Sequence, residues 1–210
     1  MMWFAKPSSF NDPFDCNLSE TNKYEENDIT SYLQSLGLQP DDYESDMIRK
    51  SVMDSRKNVL EKKGILSLSC TVDNIRMWSH YAEKHTGAVL AFDVLNDIDY
   101  FLMPINIKYQ DTYTETNFLH DQKKATMDNI SVKAGLWGYE KEFRVMNPES
   151  KNWPFNAEAL TEIYFGCNSD DTLVEKVISS CSSNGLTHVI FYKAIPKHGE
   201  FGLDFTRITN

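Results

Sequence analysis

Basic residues are scarce in this chain: 21 Lys and Arg stand against 31 Asp and Glu, for a formal net charge of −10. A broad phosphate-binding surface needs clustered cations, so constitutive nucleic-acid binding is disfavoured, which leaves nucleic acid open only as a target. Cysteine is nearly as sparse. Cys16, Cys70, Cys167 and Cys181 are scattered with no C-x-x-C pair, which argues against a zinc ribbon and a disulfide framework. Reduced cytoplasm is then the default compartment. No run approaches the ~18 apolar residues of a membrane span, and Met1 to Lys6 lacks the basic start and apolar core of a signal peptide. Also missing are a G-x-G-x-x-G or Walker loop, a G-x-S-x-G elbow and an H-E-x-x-H motif. His80 and His85 are five positions apart, roughly 140° around a helix, so they cannot face one ion from one helix face. The metal expectation is none.

What remains is an ordinary globular composition, 41% hydrophobic and 25% charged over 210 residues, enough for one full core and one domain spanning 1–210. The densest chemistry lies between Gly64 and Asp93. Ile65 to Ser69 alternates like a half-buried strand carrying Ser67 and Ser69. Thr71 or Asp73 is placed to cap a following helix. On that helix Ile75, Trp78, Tyr81 or Ala82, and His85 recur at helical spacing, while Ser79 and His80 point elsewhere. Such aromatics are either core or the wall of a site for a flat polar molecule. Gly87 permits the turn into AVLAFD, expected as a buried central strand.

Around this unit, Trp3 to Ala5 reads as a short strand that Pro7-Ser8-Ser9 ends. Asn11-Asp12-Pro13 reads as a turn pinned by Phe10 and Phe14, with Asp12 and Asp15 as turn stabilisers rather than ligands. Residues 17–40 are polar, with a weak helix near Asp28 to Leu36 ending at Gly37. A second helix starts after Pro40, with Asp41, Asp42 and Glu44 in its first turn. It has Lys57, Lys62 and Lys63 near its end, Gly64 as its stop, and a thin stripe of Met47 or Ile48, Val52, Val59 and Leu60. Met103 to Gln110 alternates like a strand, and Tyr113 to Asn129 like a polar helix. Within Lys133 to Val145, a strand places Glu140, Glu142 and Arg144 on one face, suited either to the lip of a cleft or to a solvated, charge-paired surface. Glu162 to Cys167, Asp170 to Ser183, Thr187 to Ala194 and Phe201 to Ile208 complete a strand, helix, strand, strand tail, with His188 structural. The expected fold is α+β, a mostly antiparallel sheet with flanking helices.

The blocks FNDPFD, MWSHYAEKHTG and WGYEKEFRV together resemble a widespread bacterial family of uncharacterised domains. More remotely, a strand L-S-L-S, a helix bearing a tyrosine and a later strand with E-K-E resemble the plan of ADP-ribosyltransferases. That resemblance implies a split sheet with NAD lying across it as substrate. Ser67 and Ser69 would sit beside the nicotinamide ribose, Tyr81 would stack on the nicotinamide, Glu142 would be the catalytic carboxylate and Glu140 would orient the acceptor. Trp78, His80 and Arg144 fall inside the same blocks and are the further candidates for cofactor binding. A toxin or phage-defence effector acting on a protein or nucleic-acid target is the implied role. Transferases of this plan also use an early strand with a His or Arg for the adenosine half. Ahead of Phe10 only Trp3 to Lys6 is there to supply it, so that strand and motif are expected to be lacking. The competing expectation is a non-catalytic binding or regulatory module on the same scaffold, with a protein partner over residues 17–40 or 41–63.

Overall fold

The computed structural model describes residues 1–16, 24–39 and 44–209. The expectations placed on 17–23, Pro40, Asp41 and Asp42 lie outside the described residues. The chain opens with β1 (Met2–Trp3), and a 3-10 turn at Pro7–Ser9 follows. Helix α1 (Glu26–Ser35) begins with a reciprocal box between Glu25 and Asp28 and ends where Gly37 takes φ +74°. Helix α2 (Ser45–Lys62) buries Val52 and Leu60, but Met47 and Val59 are exposed, so its apolar stripe is thinner than the spacing implies. Gly64 does not terminate α2 by a left-handed turn. It opens β2 (Gly64–Ser69), where a Cβ would meet Glu149 O at 2.5 Å and Phe4 Cβ at 2.6 Å.

Asn74, not Thr71 or Asp73, caps α3 (Ile75–Tyr81). Its Oδ1 accepts from the backbone N–H groups of Arg76 and Met77, whereas Asp73 is taken up by the Thr71 hydroxyl. The turn into β3 (Ala88–Phe92) is made by three consecutive left-handed residues, Glu83, Lys84 and His85, rather than by Gly87. Next come β4 (Ile105–Asn106), β5 (Lys108–Gln110), α4 (Gln122–Ile130) and β6 (Val132–Ala134), so the expected strand at 103–110 is broken in two and the polar helix is shorter. A 3-10 turn, Gly135–Glu140, leads into β7 (Glu142–Asn147) and β8 (Asn152–Trp153). The tail is β9 (Leu160–Phe165), α5 (Asp171–Ser183) capped by Asp170, β10 (Ile190–Pro196) and β11 (Leu203–Arg207). His188 donates its Nε2–H to the Leu160 carbonyl at 3.0 Å, which ties the start of β10 to β9.

The architecture is α+β and mostly antiparallel. One sheet runs β11-β10-β9-β3, with only β10–β9 parallel; a second runs β2-β7-β4; β1–β8 and the parallel pair β5–β6 are separate ribbons. Strand β3 is therefore an edge, not a centre, and Leu90 on it is 53% exposed. The centre goes to β9, whose Ile163 and Phe165 are buried against α5 residues such as Cys181. Trp78 is the main apolar anchor of α3. It packs with Ala82, Ala194 and Leu203, and its indole N–H donates to the Val72 carbonyl. Phe10 packs on the core beneath β2, but Phe14 is 65% exposed and pins nothing.

Candidate functional site

Antiparallel register brings the sequence candidates together. β2 against β7 places Ser69 opposite Glu142 and Ser67 opposite Arg144, all on one sheet face. Lys141 takes a left-handed conformation (φ 46°) between the 3-10 turn and β7, so Glu140 is on the turn rather than on the strand. Both carboxylates nevertheless reach one ammonium: Lys133 Nζ lies 2.5 Å from Glu140 Oε2 and 2.8 Å from Glu142 Oε2. Arg144, wholly buried, donates Nε to Glu142 Oε1 at 2.7 Å and a two-pronged pair to Asp15 at 2.5 and 3.0 Å. Its remaining donors go to the Ile130 carbonyl, Glu142 Oε2 and Cys16 Sγ, and the Phe10 ring centre lies 5.3 Å from the guanidinium carbon.

This network is buried rather than solvated: Glu140 is 3% exposed and Glu142 7%. Three carboxylates against two cations leave a formal charge of −1. Burial alone would push the Glu142 carboxyl up, but the Arg144 hydrogen bond and charge, with Lys133, outweigh it and hold the pKa below the usual range. Burial likewise works against Lys133, and its carboxylate neighbours raise it instead. Glu142 is thus a fixed negative charge with both oxygens engaged, a weak base and a weak nucleophile. Glu140 is similarly engaged, since the Tyr81 hydroxyl donates to its Oε1 at 2.7 Å. Burial and that bond push the Tyr81 phenol up to about 12, so it stays a neutral donor.

A cleft of about 490 Å³ opens over this network, within the size range of small-molecule sites. Ser67, Ser69, Tyr81, Glu140 and Glu142 all line it, as does Lys133. Trp3, Phe10 and Met77 supply an apolar wall, and Trp3 and Tyr81 are each at least half exposed. Ser67 is open to the cleft, but the Ser69 hydroxyl is spent on the Glu140 carbonyl at 2.6 Å and so positions the turn. Strand pairing adds polar backbone. Ala5 and Ile65 exchange both backbone bonds, at 2.9 and 2.8 Å, and the pairing between those two segments stops there. By the two-residue alternation, the N–H and C=O of Ser67 point to that same open edge, into the cleft that Trp3 borders.

The other candidates lie elsewhere. Trp78 is 1% exposed in the core, so the reading of it as a cofactor contact gives way to an anchor for α3. His80 is exposed beside Tyr81, their ring centres 6.3 Å apart, but does not line the cleft; Arg144 acts behind Glu142 rather than on the cleft surface. Ser79 Oγ lies 3.0 Å from His85 Nε2 and also donates to the Ile75 carbonyl one turn back, as helical serines do. That is a structural contact, not a nucleophile with its base. Among the described residues no group of three or more His, Cys, Asp or Glu is disposed to hold a metal ion.

Sequence reasoning missed Lys133 and assigned Asp15 to a turn. Asp12 does hold the turn, accepting from Phe14 N–H and from the Trp137 indole. Asp15 is the buried partner of Arg144. The available signal was Lys133 itself, a lone cation inside the short apolar alternation Val132–Ala134.

Residues 77–145 match the sequence model of a family described as "Protein of unknown function (DUF2971)". The match starts on α3 and ends on β7, so it contains Tyr81, Lys133, Glu140, Glu142 and Arg144 but neither β2 nor Asp15. No curated protein and no solved structure matches the chain.

Proposed function

We propose that the cleft binds NAD as a substrate through its nicotinamide riboside half, in an ADP-ribosyltransferase-like reaction. The observation that carries this reading is the convergence, in one cleft, of the β2 hydroxyl at Ser67, the half-exposed Tyr81 ring and the buried pair Glu140 and Glu142. A flat pyridinium ring suits the aromatic wall and the net negative network. Its carboxamide offers a carbonyl acceptor and an NH2 donor group, which match the N–H and C=O that Ser67 turns to the open strand edge. In the reaction the C1′–N bond breaks and nicotinamide leaves neutral with the bonding pair. The acceptor's lone pair then bonds C1′ and the acceptor releases a proton. Positive charge growing on the ribose is met by the fixed charge of Glu142, held by Arg144 and Lys133. The segment Trp3 to Ala5 takes a place beside β2, and among the described residues the one cation lining the cleft, Lys133, is already paired with carboxylates, so the fit is to the riboside half.

The test is calorimetric titration of NAD and of nicotinamide mononucleotide, with Tyr81→Ala and Ser67→Leu alongside. Saturable binding weakened at least about tenfold by either change supports the reading, since that is about 1.4 kcal/mol of contact. Absence of binding by the unaltered protein overturns it. A second reading has its own observation: every oxygen of Glu140 and Glu142 already has a partner. On that reading the cleft belongs to a non-catalytic module, and binding occurs without release of nicotinamide.

A further inference from the structure

Leu68 and Ser69 line a second cavity, of about 360 Å³, on the other side of the end of β2, where the sheet ending in β3 fails to join the sheet containing β2. Its walls are mainly apolar, with Val72, Val89, Phe92 and Phe143 contributing, and Tyr164 stands among them in a stacked pair with Tyr192. One carboxylate faces this lining: Glu162, half-buried on the central strand β9. Among the described residues the one side-chain hydrogen bond it accepts comes from a neutral donor, the Tyr164 hydroxyl, 2.7 Å from Oε2. Among the described residues no Lys, Arg or His nitrogen lies within 4.0 Å of it. This contrasts with Asp15, Glu140 and Glu142, each of which has a buried cation.

We propose that this second cavity is a binding site for an organic cation, an alkylammonium or guanidinium group, paired with Glu162 beside Tyr164. A carboxylate partly withdrawn from water among apolar and aromatic groups gains most from a cation that brings its own apolar stem. The bond from Tyr164 fixes one oxygen and leaves Oε1 for the ligand. The site is independent of NAD: it shares only the end of β2 with the first cleft, and the test below does not use the nucleotide.

The probes are n-butylguanidinium and n-butylammonium chloride, with n-butanol as the neutral control, followed by calorimetry and by NMR shifts of 89–92 and 162–164. Saturable binding of a cation is expected, weakened at least about tenfold by Glu162→Gln. Gln keeps an acceptor for Tyr164, so the strand should keep its fold, as circular dichroism would verify. Ala91 lies directly across from Glu162 in the β3–β9 register, so Ala91→Leu fills the cavity and should abolish binding while the carboxylate itself is kept. A capped peptide with a single Arg separates the two sources of such a group. Tighter binding than n-butylguanidinium assigns a protein side chain, and weaker binding a free cation. No saturable binding, equal binding of n-butanol, or no effect of Glu162→Gln would overturn the proposal.

Discussion

At the residue scale, the buried network owes its geometry to the difference between a fork and a point charge. Arg144 can hold Asp15 with two parallel bonds and still direct Nε at Glu142, whereas Lys133 gathers Glu140 and Glu142 around one nitrogen. Lys133→Met removes what is, among the described residues, the one cation within ion-pair reach of Glu140. It should destabilise the fold by about 3–5 kcal/mol, read by urea unfolding, because two buried carboxylates are left facing each other. Tyr81→Phe deletes one bond to Glu140 at a half-exposed position where water can replace it. Its cost should stay below about 1 kcal/mol in the same assay. The contrast separates a residue that holds the network from one that faces the cleft.

At the element scale, α3 is short and depends on its cap and its landing turn. Asn74 accepts from two N–H groups of α3 and its Nδ2 donates to the Tyr139 carbonyl, so it links the helix to the turn carrying Glu140. Asn74→Ala should cost about 1 kcal/mol in thermal or urea unfolding. After α3, the left-handed run Glu83, Lys84 and His85 is strained by roughly 1–2 kcal/mol per residue. It is held by backbone bonds from Asn168 N–H to the His85 carbonyl and from Gly166 N–H to the Gly87 carbonyl. A Cβ on Gly166 would lie 2.0 Å from the His85 oxygen. Gly166→Ala should therefore lose at least about 1–3 kcal/mol and loosen β3, with faster amide exchange at 88–92 as the readout.

At the scale of the whole molecule, charge sets the response to pH. The folded-state pKa of Glu142 lies below its unfolded value of about 4.3, so its contribution is present above that value and lost as pH falls through the folded one. Lys133 is shifted the other way: its contribution is complete below about 10.4 and disappears only as pH rises beyond it. Acid titration followed by circular dichroism should show unfolding on the acid side of pH 4.3, whereas Lys133 should cause no loss up to about pH 10.

The grouping of Ser67, Tyr81, Glu140 and Glu142 was supplied by the family resemblance, whereas the amino-acid pattern alone carries the alternation of β2 and the capped helix α5. These are local or periodic properties: side-chain spacing of two or 3.6 residues is written directly in the chain. Only tertiary structure decided that β3 is an edge, that Trp78 faces the core while Tyr81 faces a cleft, and that Lys133 and Asp15 join the carboxylates. Strand order and the burial of a charge depend on which distant segments meet, and no local spacing encodes them. Asp15 and Arg144 lie far apart in the chain, and their pairing exists only because the N-terminal turn folds against β7.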